Sequence, residues 1–260
     1  LKVLLDAKGN PSARADQGES LLEIAAAKGH TATCRFLLER DPGIDHRVGP
    51  AFERTLGRRG PDNDELAAHL FDLQGDIKVE EAGMFVRPAC QSGLQRLLQR
   101  LVDKGVNLGS LADPKPLHLA VASGNADLIE WLASQPGVEV NAGNQQGETP
   151  LHCAAKMQRS NTRVLMSDVV RVTESLIRSR AAVDCLDNLN NTPLHHAVPH
   201  GEATVQALLD AAADPNVQGP EGRTPLHLCA MGSYRPEVYQ ALITAGADPF
   251  VEDELVSRIL

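Results

Sequence analysis

Aromatic side chains are scarce: they make up 3% of the 260 residues, and Trp131 is the single tryptophan. A core without large rings must be packed with small aliphatics, which suits thin layers of stacked helices. Positive charge is also short. Lys and Arg total 25 against 34 Asp and Glu, a formal net charge of −9. Sequence-independent nucleic-acid binding needs basic surface to displace counterions, so that class is not expected. The densest local exception is Arg54, Arg58 and Arg59, which reads as solvated surface before it reads as a basic patch. No apolar run approaches the length of a membrane span, and no signal peptide is visible.

Motifs for chemistry are missing as well. There is no GxxxxGK[ST] loop, no GxGxxG after a strand, no nucleophile elbow and no HExxH. Catalysis by this chain is therefore not expected, and no cofactor is implied. Cysteine is limited to Cys34, Cys90, Cys153, Cys185 and Cys229, with no CxxC pair. Four of these fall in predicted helices and read as small buried residues in a reducing, intracellular compartment, the cytoplasm first. Asn190-Asn191-Thr192 is formally a glycosylation sequon, but Thr192 has a competing role as a helix cap.

What the chain does have is a repeated phrase. Thr-Pro-Leu-His stands complete at Thr149–His152, Thr192–His195 and Thr224–His227, and without its Thr at Pro116-Leu117-His118. His118 and His152 are 34 residues apart, His195 and His227 are 32 apart, and His152 and His195 are 43 apart. The first two spacings define a period, and the third is one period plus an insertion. Self-similarity of this length marks a stacked repeat array. Thr is a good N-cap and Pro is favoured at the first helical position, so each copy predicts a helix start.

The phrase resembles that of the ankyrin repeat family, whose units open with a turn and a T-P-L-H-x-A-A helix. The resemblance implies an all-α solenoid: about seven to eight stacked helix-turn-helix units with short β-turn or hairpin connections. The whole chain, 1–260, is expected to be one array. Residues 1–15 form a partial repeat, 16–48 a repeat opened by Ser20 as cap, and 49–79 a degenerate repeat. Residues 80–111 are a drifted repeat in which Pro88 is awkward inside the expected first helix and would suit its first turn better. Residues 112–143 are a clear repeat, and 144–187 are a repeat with an inserted loop at about 158–168. Residues 188–219 and 220–252 are regular, and 253–260 begin a cap or a further unit. Gly29 is placed at a helix C-cap, and Gly147, Gly222 and Gly246 at positions of positive φ. Leu66, Leu70 and Leu73 form the apolar stripe of the second segment in 49–79. The second helix of 144–187 is expected over about Val169–Arg178.

The recurring histidines could suggest a metal or proton relay. The family implies a structural role instead: each bonds its own turn and the neighbouring unit. His196 and His200 share a helix face by i, i+4 spacing, a metal-capable arrangement, but no third ligand is evident. An exposed pair is the reading taken, with no metal.

The resemblance places partners on the concave surface made by turn tips and first helices. Mapped by phase, the candidates are Gln145, Gln146, Glu148, Lys156 and Met157, then Asn188, Leu189, Asn191 and His200, then Glu221, Arg223 and Met231. Leu189 and Met231 stand as apolar contacts among polar ones. The expected function is a non-enzymatic scaffold or adaptor that binds a protein partner, with neither nucleic acid nor membrane insertion. The alternative is the docking or regulatory region of a larger enzyme, channel or secreted microbial effector. The first residue is Leu and lies in a helical pattern, as in a fragment. The array is expected to be a monomer or part of a larger chain.

Overall fold

The computed structural model describes residues 19–40, 48–74, 78–110, 115–157, 166–232 and 235–254. The partial repeat at 1–15, most of the inserted loop at 158–168 and the last six residues lie outside these. The chain divides into two compact units, residues 1–108 and 109–260. Each is described by itself. Among the described residues the structure is helical, with no β-strand.

In the first unit, α1 (Leu21–Lys28) and α2 (Thr31–Arg40) form a pair. Ser20 starts α1 as expected: its hydroxyl accepts the Glu23 N–H at 3.2 Å, satisfying one of the orphan donors of the first turn. Gly29 ends α1 with φ 75°, in the left-handed region that closes helices at low cost. Arg58 packs onto Gly29 so closely that a Cβ there would collide with its guanidinium. Its Nη1 donates to the Ala27 carbonyl at 2.7 Å. Arg54 pairs with Glu19 at 2.8 Å. Arg58 thus ties two chain segments together, while Arg54 and its pair with Glu19 stand on solvated surface.

The degenerate stretch also forms a pair, α3 (Val48–Thr55) and α4 (Pro61–Asp72). Asn63 closes the link between them, donating from Nδ2 to the Thr55 and Arg58 carbonyls, both at 3.0 Å. Leu66 and Leu70 are buried, whereas Leu73 is exposed. The stripe is one residue too long because α4 ends at Asp72 and Leu73 is its cap. Phe52 and Phe71 fill the core and meet Phe85 with ring centroids 4.9 and 6.2 Å away, so three of the few aromatics sit together.

A short helix, α5 (Val79–Ala82), and a 3₁₀ turn at Gly83–Phe85 lead into α6 (Val86–Ser92) and α7 (Gln95–Asp103). Pro88 stands in the first turn of α6, where its missing N–H costs nothing. Gly93 ends α6 with φ 76°. It lies 64 residues after Gly29, two repeat periods, with the same job. Asp64 of α4 accepts from the Arg96 and Leu97 N–H groups at 2.9 and 3.2 Å, capping α7 from the preceding pair.

The second unit holds α8 (Pro116–Val121) with α9 (Ala126–Ala133), and α10 (Pro150–Ala155) with α11 (Met166–Arg178). These are followed by α12 (Pro193–Ala197) with α13 (Glu202–Asp210), and α14 (Pro225–Met231) with α15 (Pro236–Thr244). The first helices α8, α10, α12 and α14 pack side by side in one row. The second helices form the other row. Leu117, Leu151 and Leu194, the Leu of the phrase, are completely buried between the rows. Each such burial stabilises by about 1.5–3 kcal/mol. α11 begins at Met166, so residues 166–168 belong to the helix and not to the inserted loop.

Candidate recognition face

The phrase explains how the first helices are held in register. In each complete copy the cap residue's N–H donates to the histidine Nδ1: Thr149 to His152 at 3.1 Å, Thr192 to His195 and Thr224 to His227 at 3.2 Å. A ring nitrogen that accepts from an N–H carries no proton, so the proton is on Nε2. That proton reaches the next unit. His152 Nε2 donates to the Asn191 carbonyl at 3.0 Å and His195 Nε2 to the Arg223 carbonyl at 3.1 Å. Burial pushes the pKa of both histidines below the ordinary value, partly offset by these carbonyl bonds. His118 bonds the Glu148 carbonyl at 2.8 Å, but among the described residues its buried Nδ1 has no partner; Lys115 stands where the other copies have a Thr hydroxyl within 2.9 Å of that nitrogen.

The turn tips repeat one geometry. Asn144 and Asp187 each use a side-chain oxygen to accept the N–H groups two and four residues on, all at 2.9 Å. The tip then needs a left-handed residue, supplied by Gly147 at φ 75°, Asn190 at φ 63° and Gly222 at φ 69°. Asn tolerates this region better than most residues with a Cβ. Adjacent tips are joined, since Asn188 donates from N to the Gln146 carbonyl and from Nδ2 to the Gln145 carbonyl. On the other limb of the hairpins, Asn141 and Asn216 side chains accept the Ala182 and Asp248 N–H groups.

Beside these tips sits an ion network that the sequence did not announce. Asp187 Oδ2 accepts from His196 Nε2 at 2.8 Å, and Glu148 pairs with Lys156. Burial raises the Asp187 carboxyl. The hydrogen bonds from His196 and from the Asn191 and Leu189 N–H groups together outweigh it and hold the pKa low. Glu148 behaves alike: burial opposes its ionisation, and bonds from Lys156 and Asn144 prevail. Donor atoms of Glu148, Asp187 and His196 lie within 4.8 Å of one another. A small divalent cation could enter only by displacing the Lys156 ammonium from Glu148 and the His196 proton from Asp187.

The expected pairing of His196 with His200 is corrected. α12 ends at Ala197, so His200 lies in the following turn and the two rings do not share a helix face. His196 is half-buried and points at Asp187 instead of standing exposed.

The sequence-derived candidates fall into two sets. Gln145, Gln146, Asn188, Leu189, Glu221 and Met231 are exposed, with Leu189 at 68% and Met231 at 62%. Glu148, Lys156, Met157, Asn191, His200 and Arg223 are half-buried. Four of these are engaged internally. Glu148 holds Lys156, Asn191 gives its carbonyl to His152, and Arg223 pairs with Glu221. Asp187 and Arg235 were not singled out from the sequence, and His196 only as the neighbour of His200. The turn residue Asp187 was legible by phase with Asn144, but the His196 contact depends on where α12 stops.

With the geometry in place, comparison with known proteins adds the family. A family model described as Ankyrin repeats (3 copies) matches residues 88–173 and 163–253, well over half of the chain. The chain belongs to the ankyrin repeat family, and as such it is a protein–protein interaction domain. Rabankyrin-5 of Homo sapiens is 27% identical over 179 residues, which are 67% of this chain and 14% of that protein. Ankyrin repeat and SOCS box protein 16 of Mus musculus is 30% identical over 244 residues, 88% of this chain and 52% of that protein. The putative palmitoyltransferase ZDHHC13 of Danio rerio is 35% identical over 166 residues, 62% of this chain and 23% of that protein. The chain thus spans between 14% and 52% of the length of these relatives.

Among the described residues no helix is long and apolar enough to cross a membrane.

Proposed function

We propose that the chain is a non-enzymatic scaffold or adaptor that binds a protein partner. The site is the side of the second unit formed by turn tips and first helices. One observation carries this reading: Leu189 and Met231 stand largely exposed among polar residues on elements whose backbone is locked by the repeated cap, tip and histidine bonds. Rigid backbone with variable exposed side chains is what a recognition surface requires, since little ordering entropy is lost on binding. The net charge of −9 supports a protein rather than a nucleic-acid partner. Five free thiols, three of them buried, support a reducing compartment inside the cell. The continuation of both units as one array of about seven to eight repeats is supported by the sequence period.

A second reading is favoured by one observation, the small share of each relative that the chain spans. In it the chain is the docking or regulatory region of a larger protein, and one relative bears an enzyme's name. The recognition surface is the same in both readings.

The test is a pulldown with the native chain and with a variant carrying Gln146→Glu, Met157→Glu, Leu189→Glu and Met231→Lys. The variant should melt with the native chain and lose at least one partner. Retention of every partner by a folded variant contradicts the assignment of this face.

A further inference from the structure

The last two pairs of the second unit leave one arginine and one imidazole without a carboxylate partner. Lys156 is matched by Glu148, and His196 by Asp187. Arg235 and His200 have no carboxylate within ion-pair distance among the described residues. Arg235 is exposed and begins the second helix of the last pair as the N-cap of α15. It forms one wall of a pocket of about 160 Å³, whose other walls are Val198, Pro199, Leu228, Cys229 and Gly232. The pocket is thus apolar on most sides and cationic at one. At roughly 30 Å³ per water-sized group, it has space for one side chain of about five heavy atoms.

We propose that this pocket, with Arg235 and His200 beside it, receives an acidic peptide segment of the partner, in which an Asp or Glu stands next to an aliphatic residue. The carboxylate pairs with Arg235, and the aliphatic side chain enters the pocket between the turn after α12 and the end of α14. The proposal deepens the recognition reading above and rests on it.

Charge complementarity is the argument for an acidic rather than a neutral segment. Burial is the main reason that the His200 pKa lies below the ordinary value, and the charged groups acting on it are His196, Arg235 and Lys156, all basic. Asp187 and Glu148 are already paired, and the exposed Glu202 and Glu237, two residues along the chain from His200 and Arg235, make no ion pair with them among the described residues. Arg235 therefore offers an incoming carboxylate a two-pronged donor that no carboxylate of the described residues occupies. Exposed Met231, on the last turn of α14, extends the apolar contact beyond the pocket. A bound carboxylate also favours the His200 imidazolium. Binding must then tighten as pH falls from about 7.5 to about 6, toward the ordinary histidine pKa.

The experiment pans a random heptapeptide library on phage against the whole chain. Selected peptides are then remade with a fluorescein label, and binding is followed by anisotropy. The proposal expects selected sequences with Asp or Glu beside an aliphatic residue. It expects a loss of roughly tenfold or more in Arg235→Glu, the size of one charge-assisted contact, and a smaller loss in Arg235→Lys. His200→Gln should remove the tightening at low pH. Equal melting temperatures show that the variants fold. Selected peptides that are neutral or basic, or that bind Arg235→Glu as well as the native chain, overturn the proposal. So does a labelled oligothymidylate that binds more tightly than any peptide. A peptide indifferent to Arg235→Glu but lost when Leu189 and Met231 become charged overturns the acidic pocket and leaves the recognition face standing. Indifference to both sets overturns both.

Discussion

His152 in α10 donates its Nε2 proton to the Asn191 carbonyl of the next turn tip, 3.0 Å away, while its Nδ1 accepts the Thr149 N–H. One fully buried ring thus satisfies a helix start and a neighbouring unit together. His152→Ala strands the buried Thr149 N–H, takes one of two donors from the Asn191 carbonyl and leaves a cavity. It should cost about 2–4 kcal/mol in urea unfolding. A loss below ~0.5 kcal/mol would mean that the ring merely fills space.

Position 115 offers the converse change. Lys115 has the extended backbone of an N-cap but no side-chain acceptor, and among the described residues the buried His118 Nδ1 has no partner. Lys115→Thr restores the phrase. A new cap contributes about 1 kcal/mol, against the loss of an exposed Lys115–Glu139 pair that contributes a few tenths. The variant should therefore melt higher, and the His118 Nδ1 nitrogen resonance should move as it gains a donor. An unchanged resonance would show that the threonine does not reach the ring.

Acid should weaken the second unit in two stages. The folded pKa of His152 and of His195 is below the ordinary histidine value of 6.5, so the unfolded chain takes up protons first as pH falls. Their contribution is complete above pH 6.5 and is lost below it. Asp187 and Glu148 are held below their ordinary values of 3.8 and 4.5, so their contribution is present above those values and lost as pH falls through the folded pKa. Melting temperature should drop between pH 7.5 and 5.5, and drop less in the double variant His152→Gln, His195→Gln. A melting temperature that rises over that interval contradicts the neutral, Nε2-protonated assignment.

Asp64 makes a prediction for the first unit. It caps α7 across 32 residues, accepting two N–H groups. Asp64→Ala should cost about 1–2 kcal/mol, and Asp64→Asn, which keeps an acceptor, clearly less. Denaturant unfolding followed on a reporter in residues 48–103 checks the order of the two variants.

Much of this fold was legible because its signals are local and repeated. A Thr before a Pro caps a helix whatever surrounds it, and Gly29 and Gly93 close helices two periods apart for the same backbone reason. What escaped depends on where elements stop or on contacts across a period. The i, i+4 reading of His196 and His200 assumed that α12 continues, but the helix ends at Ala197. Asp187 and His196 are nine residues apart, a spacing that carries no signal until the tip and helix are folded. Arg58 looked like one of a basic trio, yet it lies on Gly29 because that glycine has no Cβ. Phe52, Phe71 and Phe85 were scattered in a drifted stretch and meet only through packing.

Hydrogen exchange on the chain alone, and with a partner that the native protein retains and the four-site variant loses, tests the recognition face most directly. Protection is expected over residues 144–157, 188–200 and 220–231, with the second helices little changed. Protection confined to α9, α11, α13 and α15 would contradict it.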